Sequence, residues 1–487
     1  MLLTIDIGTS VFKSALWDFE GNRLAYAAVP VKSFPAEGLR HEADCGQWLR
    51  AFGDCCAVLA HAARAGNGAI RLADVNAVVI SGNGPSLTPV LGEPELTAAG
   101  LHVDAAPARL WLDRRAEAAA AEVSSLRGAF VDQSFFVPKA LAVKSNEPEL
   151  YERVRVFLGC PELLAYALTG EARTVFPAEG FERWFWDAQL LETLKLDAEK
   201  FPPFIRPMEI FGGILPSLAK HFGFAPNIPV ISGGSDFIAA ILGTGISSPG
   251  QACDRAGSSE GINACTERRI DDARLLSYRH PVTPYWNLSG IISCSGRAVE
   301  WARDLLGLKT YDEFFALAEA APDGEELPVF LPYLAGERAP VWNPQALAVM
   351  RNLSLSTGRP EFARSVLEGI CFAIRDLIAV MEEAGAKITE LRVAGAAAHN
   401  GILNRIKADV SGREILVPAQ KETELLGLAI AGALALGKYA SLCEAASALV
   451  RIESRVQPDE KKAEPYARLF EEYRGMKQLQ NCPPGQK

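Results

Sequence analysis

At 487 residues, with 49 % hydrophobic and 22 % charged residues, the chain is long enough for two or three domains with ordinary apolar cores. Its 59 acidic residues outnumber its 49 basic ones, for a formal charge of −10. That balance argues against a general nucleic-acid binder, whose affinity depends on neutralising phosphates with Lys and Arg, while leaving room for a local basic pocket.

The ten cysteines include no Cys-x-x-Cys pair and the histidines number only six, so no zinc site is expected. Scattered thiols fit a reduced, cytoplasmic protein. The N-terminus has no charged n-region and no apolar stretch reaches membrane-spanning length, so neither a signal peptide nor a membrane partner is expected.

In chain order, Leu2–Ile7, Phe12–Asp18 and Arg23–Val31 read as an antiparallel meander. Between the first two lies Asp6-Ile7-Gly8-Thr9-Ser10, which offers a glycine, two hydroxyls and consecutive backbone N–H groups beside a carboxylate. Those parts suit a phosphate and its magnesium better than a tight hairpin turn. A helix is expected over Cys45–Ala65, then an apolar strand Ala77–Ile80 running into the breaker-rich loop Ser81-Gly82-Asn83-Gly84-Pro85. Ala105–Val123 reads as a helix from its alanine content.

Pro229–Ser232 reads as a strand, Gly233-Gly234-Ser235 as a turn and Asp236–Leu242 as a helix start, with a hinge expected near Gly243–Gly250. Next comes a second strand–loop–strand, Gln251–Arg255 and Gly261–Thr266 around Gly257-Ser258-Ser259. Its likeness to the opening suggests a duplicated domain whose halves each supply one loop to a shared cleft, although glycine and serine are common in any turn. Pro360–Met381 reads as an amphipathic helix with Phe362, Val366, Ile370, Ala373 and Leu377 along one stripe. Residues 391–418 read strand, small-residue turn, helix, strand, with Asn400 as N-cap. A closing helix is expected around YARLFEEYRGM, and a frayed tail over Asn481–Lys487.

Phosphoryl transfer needs donors around the phosphates, a magnesium ion and a base that orients the attacking hydroxyl. Gly8, Thr9 and Ser10 supply donors, Asp6 suits magnesium through water, and Lys13 adds positive charge. Gly257, Ser258 and Ser259 would close from the other side. Asp236, at a strand-to-helix turn, is either the base or simply a helix cap. The turn Gly395–Ala398 either admits an adenosine or serves close packing.

The series DIGTS, WLDRR, GGSD, AGSSE, and AGAAAHN with IKADVSGR resembles, in its order, the FGGY carbohydrate kinases, from Leu3 to about Gly437. The resemblance implies an α/β fold: two ribonuclease H-like domains of the actin-like ATPase (sugar kinase) fold with an interdomain cleft, here 1–246 and 247–487. It implies ATP and Mg²⁺, a small sugar or polyol as partner, and room for a homodimer. It further implies Asp236 as catalytic base, Asp6 and Asp236 as magnesium ligands, and Gly8–Ser10 with Lys13 and Gly257-Ser258 as phosphate sites. Gly395, Ala396 and Asn400 would hold the adenosine. Asn83, Trp111, Asp113, Arg115, Asp236 and Phe237 would face the sugar; on their own, Trp111, Asp113 and Arg115 read as a helix face with an ion pair.

The chain departs from the family pattern in places. Ser81–Ser86 lacks the Met-His pair usual in xylulose kinases, Phe237 replaces a frequent Asn, and Glu260 replaces a common Gly. Gly395-Ala396-Ala397 replaces a triple glycine, and residues 174–187 lack the usual Ser-x-Ala-Ser. The expected activity is phosphorylation of a ketose (a pentulose or hexulose) or polyol; a non-catalytic sensor of the same fold is the alternative.

Overall fold

The computed structural model describes residues 1–65, 71–321, 327–343 and 345–480. The expected tail over Asn481–Lys487 lies outside them. Two compact units result, each discontinuous in sequence. The first is Met1–Gly243 with Glu424–Leu449, and the second is Thr244–Thr423 with the chain from Val450 onward.

The first unit is built on β1 (Leu2–Ile7), β2 (Val11–Trp17) and β3 (Arg23–Pro30), the expected meander. Helix α1 (Gly46–Ala65) packs beside it, and β4 (Ala77–Gly82) runs parallel to β1. Leu3, Ile5, Val78 and Ile80 are inaccessible to solvent, which is why these two strands read as near-continuous apolar runs. β4 extends two residues beyond the expected strand, because Ser81 and Gly82 find partners in Asp6 and Ile7.

The expected helix over Ala105–Val123 is not formed as such. A hairpin of β5 (Thr88–Thr97) and β6 (Gly100–Ala105) precedes a loop, and helix α2 begins only at Glu117 and ends at Arg127. Alternation of buried Leu101 and Val103 with exposed neighbours, followed by Pro107 without an N–H, overrides the local alanine propensity. Helices α3 (Phe136–Asn146) and α4 (Cys160–Thr169) follow, and then β7 (Ile210–Gly213), β8 (Pro229–Ser232) and α5 (Asp236–Gly243). The sheet order is β7-β8-β4-β1-β2-β3.

The second unit carries β9 (Gly250–Ala256), β10 (Glu260–Thr266), β11 (Leu276–Arg279), β12 (Trp286–Ile292) and α6 (Gly296–Leu305). It continues with α7 (Arg359–Glu383), β13 (Ile388–Gly395), α8 (Gly401–Ser411), β14 (Glu414–Pro418), β15 (Ile452–Val456) and the closing helix α10 (Ala463–Gln480). Between β14 and β15 comes α9 (Thr423–Ala435). The sheet order is β11-β12-β10-β9-β13-β14-β15.

Order and sense repeat over six strands of each sheet, β11 being an additional edge strand of the second. In the first sheet β8, β4 and β1 are mutually parallel, β2 and β3 then alternate, and β7 is antiparallel to β8. In the second, β14, β13 and β9 are parallel, β10 and β12 alternate, and β15 is antiparallel to β14. Gly8–Ser10 and Gly257–Ser259 thus occupy the same hairpin of two equivalent sheets, as the duplication reading expected.

Two other expectations change. Helix α7 is not amphipathic in place: nearly every residue from Ala363 to Met381 is buried, including Arg364 and Glu368, which pair with each other at 2.8 Å. The segment Glu424–Leu449, which the sequence division at 246/247 leaves with the second half, packs on the first. A Cβ at Gly427 would sit 1.9 Å from the Ala239 carbonyl oxygen, and one at Gly432 would sit 2.6 Å from Val79 Cγ2. Glycines allow a contact that side chains would forbid.

The nine cysteines among the described residues are free, and only Cys443 is exposed. No helix there is long and apolar enough to cross a membrane.

Buried in α4, Glu162 accepts the Val175 N–H at 3.1 Å, and burial pushes its carboxyl up from 4.5 to about 7. The folded state therefore holds this proton more tightly than the unfolded chain. The stability it contributes is full below pH 4.5 and is lost as pH rises through 7. Glu162→Gln keeps an acceptor and cannot titrate. Its stability relative to the wild type is expected to rise by roughly 2–3 kcal/mol between acid pH and pH 8, read from urea unfolding. A constant gap across that range would contradict the assignment.

Candidate active site

In the first unit the residues singled out by sequence gather at the C-terminal ends of adjacent parallel strands, where open α/β sheets place their ligand sites. Asp6, the penultimate residue of β1, lies opposite Ser81 of β4 and directly across from Lys13 of β2, so its carboxylate and the Lys13 ammonium stand on one face of the hairpin. The loop after Asp6 closes tightly: the Gly8 N–H donates to the Val11 carbonyl at 3.0 Å, and a Cβ on Gly8 would meet that oxygen at 2.6 Å. Trp111 Nε1 donates to Thr9 Oγ1 at 3.3 Å, bringing one expected sugar residue to the Gly8–Ser10 loop.

β8 ends beside β4, with the Gly233 N–H donating to the Ile80 carbonyl at 2.8 Å and Ser81 Oγ donating to the Gly234 carbonyl at 2.7 Å. A side chain on Gly233 would strike Leu428 and the Ile80 carbonyl, and Gly234 has φ +78. The turn therefore requires both glycines. It delivers half-buried Asp236 to the first turn of α5, where Asp236 Oδ1 accepts the Phe237 N–H at 2.7 Å.

Asn83 and Asp113 sit nearby but serve the loops. Asn83 Nδ2 donates to the Ile7 carbonyl at 2.9 Å, and its Oδ1 accepts from Ser86 Oγ at 2.7 Å. Asp113, buried, takes a two-oxygen fork from Arg115 (Nε at 3.1 and 3.0 Å) and the His41 N–H at 3.0 Å. Burial opposes its charge, yet the guanidinium and these N–H groups hold the carboxyl below its usual range. Arg115 also reaches Glu42 at 2.5 Å. Both side chains therefore hold their loops in place, and a sugar contact by either would share its oxygens with these partners. The expected Asp113–Arg115 ion pair is present, on a loop rather than a helix.

Phe237 joins an aromatic wall formed by the segment that departs from the family pattern. Phe181 stacks on Phe237 at 5.8 Å and 14°, Phe181 meets Trp184 at 5.1 Å, and Trp184 stacks on Phe135 at 5.3 Å and 11°.

In the second unit Gly257 and Ser258 form the exposed tip of the β9–β10 hairpin. The N–H groups of Gly296 and Arg297, in the first turn of α6, donate to the Gly257 and Ser258 carbonyls at 3.0 and 3.2 Å. β9 pairs with β13 in a register that ends at Ala256 opposite Gly395. Gly395 has φ +86, whereas Ala396 and Ala397 are not among the positive-φ residues, so alanine is tolerated at the latter two. Asn400 caps α8, accepting the Leu403 N–H at 3.0 Å.

Three groups escaped the sequence reading. Lys139 is buried in α3 and donates to the carbonyls of Pro85 and Leu110 at 2.8 and 2.7 Å, tying together two loops of the candidate sugar site. Glu337, in LAGERAP, is buried and accepts the N–H groups of Ser293 and Arg338 at 2.7 and 2.8 Å; burial pushes it up to about 7. Lys407 lies under the second loop, 2.5 Å from both Asp254 and Glu260. Only Lys139 stands as a lone ion in an apolar stretch; Glu337 is followed by Arg338, and Lys407 lies between Arg405 and Asp409.

No group of three or more His, Cys, Asp or Glu side chains gathers as a metal site among the described residues. Half-buried Asp6 and Asp236 suit magnesium, an ion that keeps several waters and takes only one or two carboxylates.

Two equivalent sheets, each with a glycine–hydroxyl hairpin loop, define a protein of the two-domain, actin-like ATPase fold used by sugar kinases. The chain belongs to the FGGY family of carbohydrate kinases, whose N-terminal domain matches residues 1–243 and whose C-terminal domain matches 255–436. It is 28 % identical over 430 residues to the xylulose kinase of Escherichia coli (strain K12), covering 85 % of this chain and 86 % of that relative. It is 25 % identical over 395 residues to the gluconokinase of Bacillus subtilis (strain 168), covering 75 % and 76 %. The ligand-bound xylulose kinase of Lactobacillus acidophilus shares the fold with a TM-score of 0.83 at 22 % identity, over 98 % of both chains. The protein is an ATP-dependent carbohydrate kinase.

Proposed function

We propose that the enzyme transfers the γ-phosphoryl group of ATP to a hydroxyl of a small ketose or polyol, with Asp236 as general base. One observation carries this reading: the Gly233-Gly234 turn, tied to Ile80 and Ser81 at the end of β4, which runs beside β1, leads within two residues into Asp236 at the first turn of α5. Within hydrogen-bond reach of the acceptor hydroxyl, that carboxylate takes its proton as the oxygen attacks. Asp6 and Asp236 would hold a magnesium ion through water, and that ion would neutralise charge at the phosphates of ATP. Gly8–Ser10 with Lys13 would bind phosphate in the first domain. Gly257-Ser258 would do so in the second, with Gly395, Ala396 and the Asn400 turn receiving the adenosine.

The aromatic wall bears on which sugar is used. Phe237 offers no hydrogen bond where an amide would, and with Phe181 and Trp184 it favours a substrate that turns C–H groups toward this side.

The test is ADP release with Mg-ATP across ketopentoses, ketohexoses, deoxyketoses and polyols, with Asp236→Ala as blank. A strong responder is expected, with deoxyketoses above their fully hydroxylated parents, and silent in the variant. Silence across the panel with Mg-ATP binding verified would overturn the substrate class. A fully hydroxylated ketose turned over far better than its deoxy analogue would overturn the role given to Phe237.

A further inference from the structure

Beneath the Gly257–Ser259 hairpin lies a group of ions that the catalytic reading does not use. Asp254 on β9 and Glu260 on β10 lie on the same face of the sheet: Glu260 pairs directly with Ala256, two residues along from Asp254. Lys407 rises from α8 between them, 2.5 Å from Asp254 Oδ2 and 2.5 Å from Glu260 Oε1. The three side chains are at most 2 % exposed. Burial, together with the neighbouring Glu260, raises the Asp254 carboxyl well above its usual range. Burial also works against the charge on Glu260, but the Lys407 ammonium overcomes it and holds that carboxyl below its usual value.

Glu260 passes the constraint on. Its Oε2 accepts from the Ser295 hydroxyl, and the Ser295 N–H donates to the Ser258 carbonyl at 3.2 Å. The next two N–H groups of α6 hold the Gly257 and Ser258 carbonyls. The fit is close, since a Cβ on Gly296 would sit 2.4 Å from the Gly257 oxygen. With the Gly257 and Ser258 carbonyls turned to the helix and the Ser259 carbonyl taken by the Gly257 N–H, the amides of Ser258 and Ser259 have no backbone partner among the described residues and are left to meet an anion.

We propose that Lys407 is a positioning residue for the nucleotide's phosphates: through Glu260 and Ser295 it fixes the Gly257–Ser259 loop on the first turn of α6. The inference rests on that loop being the second phosphate loop. A buried ion pair is weak evidence of a stabilising role, because apolar replacements of both partners often fold as well; what such a pair can supply is a fixed geometry.

The experiment compares the wild type, Lys407→Met, Glu260→Gln, the double variant and Ser295→Ala by thermal melting and by calorimetry with Mg-ATP and with adenosine. Lys407→Met strands buried carboxylates and is expected to melt early; the double variant regains most of the loss. The Mg-ATP Kd is expected to rise about 10-fold or more in Lys407→Met and to stay raised in the double variant, with adenosine affinity changed less than about 3-fold. Ser295→Ala, which keeps the ions, is expected to weaken Mg-ATP by about 3–10-fold and leave adenosine unchanged, so the idea stands or falls even where Lys407→Met does not fold. Recovery of ATP affinity along with melting temperature in the double variant would overturn the inference, as would equal losses for ATP and adenosine. A wild type that binds adenosine as tightly as Mg-ATP would instead overturn the phosphate-loop reading on which it rests.

Discussion

Asp236→Asn is expected to lower turnover by about 10³-fold while leaving Mg-ATP affinity within about twofold of the wild type. The asymmetry follows from what the side chain touches. Its Oδ1 accepts the Phe237 N–H at 2.7 Å, a bond that the carbonyl oxygen of Asn can keep, so the turn and α5 retain their local geometry. An amide cannot accept the proton of an attacking hydroxyl, so the chemical step loses its base. The carboxylate also lies in the first turn of α5, where a negative charge is favoured, and its loss costs the fold under about 1 kcal/mol. Steady-state ADP release, calorimetry and a thermal melt on the same preparation separate these effects. Turnover near the wild-type value would move the base elsewhere. Loss of Mg-ATP affinity with an unchanged melt would make Asp236 a nucleotide ligand first.

How much of this was readable beforehand depends on how local each signal is. The loops Gly8–Ser10 and Gly257–Ser259 were legible because a strand–loop–strand pattern is decided within about 15 residues, and the two sheets repeat it with the same neighbours. The helix expected over Ala105–Val123 failed because alanine content is a weak prior against a buried β-alternation and a proline. The stripe on α7 misled for a different reason. Its polar side is also buried: Arg364 and Glu368, one turn apart, pair with each other and with Tyr466, 102 and 98 positions further on. Asn83 and Asp113, expected at the sugar, also answer buried backbone and a neighbouring arginine, a demand visible only once the chain has folded. Lys139 and Lys407 were passed over for the converse reason, since a lysine among apolar residues reads as surface until its partners are known. Glu260 was noticed as a departure, but its partner Lys407 lies 147 residues away.

Gly395→Ala should be the most damaging small substitution in the second unit. Of the three residues Gly395, Ala396 and Ala397, only the first has a positive φ, and the ideal Cβ there falls 1.9 Å from the Ala256 carbonyl oxygen and 2.9 Å from its carbon. The left-handed backbone alone costs roughly 1–2 kcal/mol for an alanine, and a contact that short cannot be accommodated without moving one backbone against the other. The strand that must move is β9, at its last paired residue, immediately before Gly257. A loss of about 3 kcal/mol or more is therefore expected in the unfolding of this unit, together with a rise of about 10-fold or more in the Mg-ATP Kd, because the Gly395 turn and the Gly257–Ser259 loop, both proposed to meet the nucleotide, would shift. Ala396→Gly is the matched control: the residue is exposed and needs no special backbone, so stability should change by no more than about 1 kcal/mol. The family's three glycines then reduce, in this chain, to one that the fold requires and two that it does not. Wild-type stability and affinity in Gly395→Ala would mean that the β9–β13 pair yields at this point, and that the Gly-Ala-Ala turn owes its glycine to contact with the nucleotide rather than to the approach of Ala256.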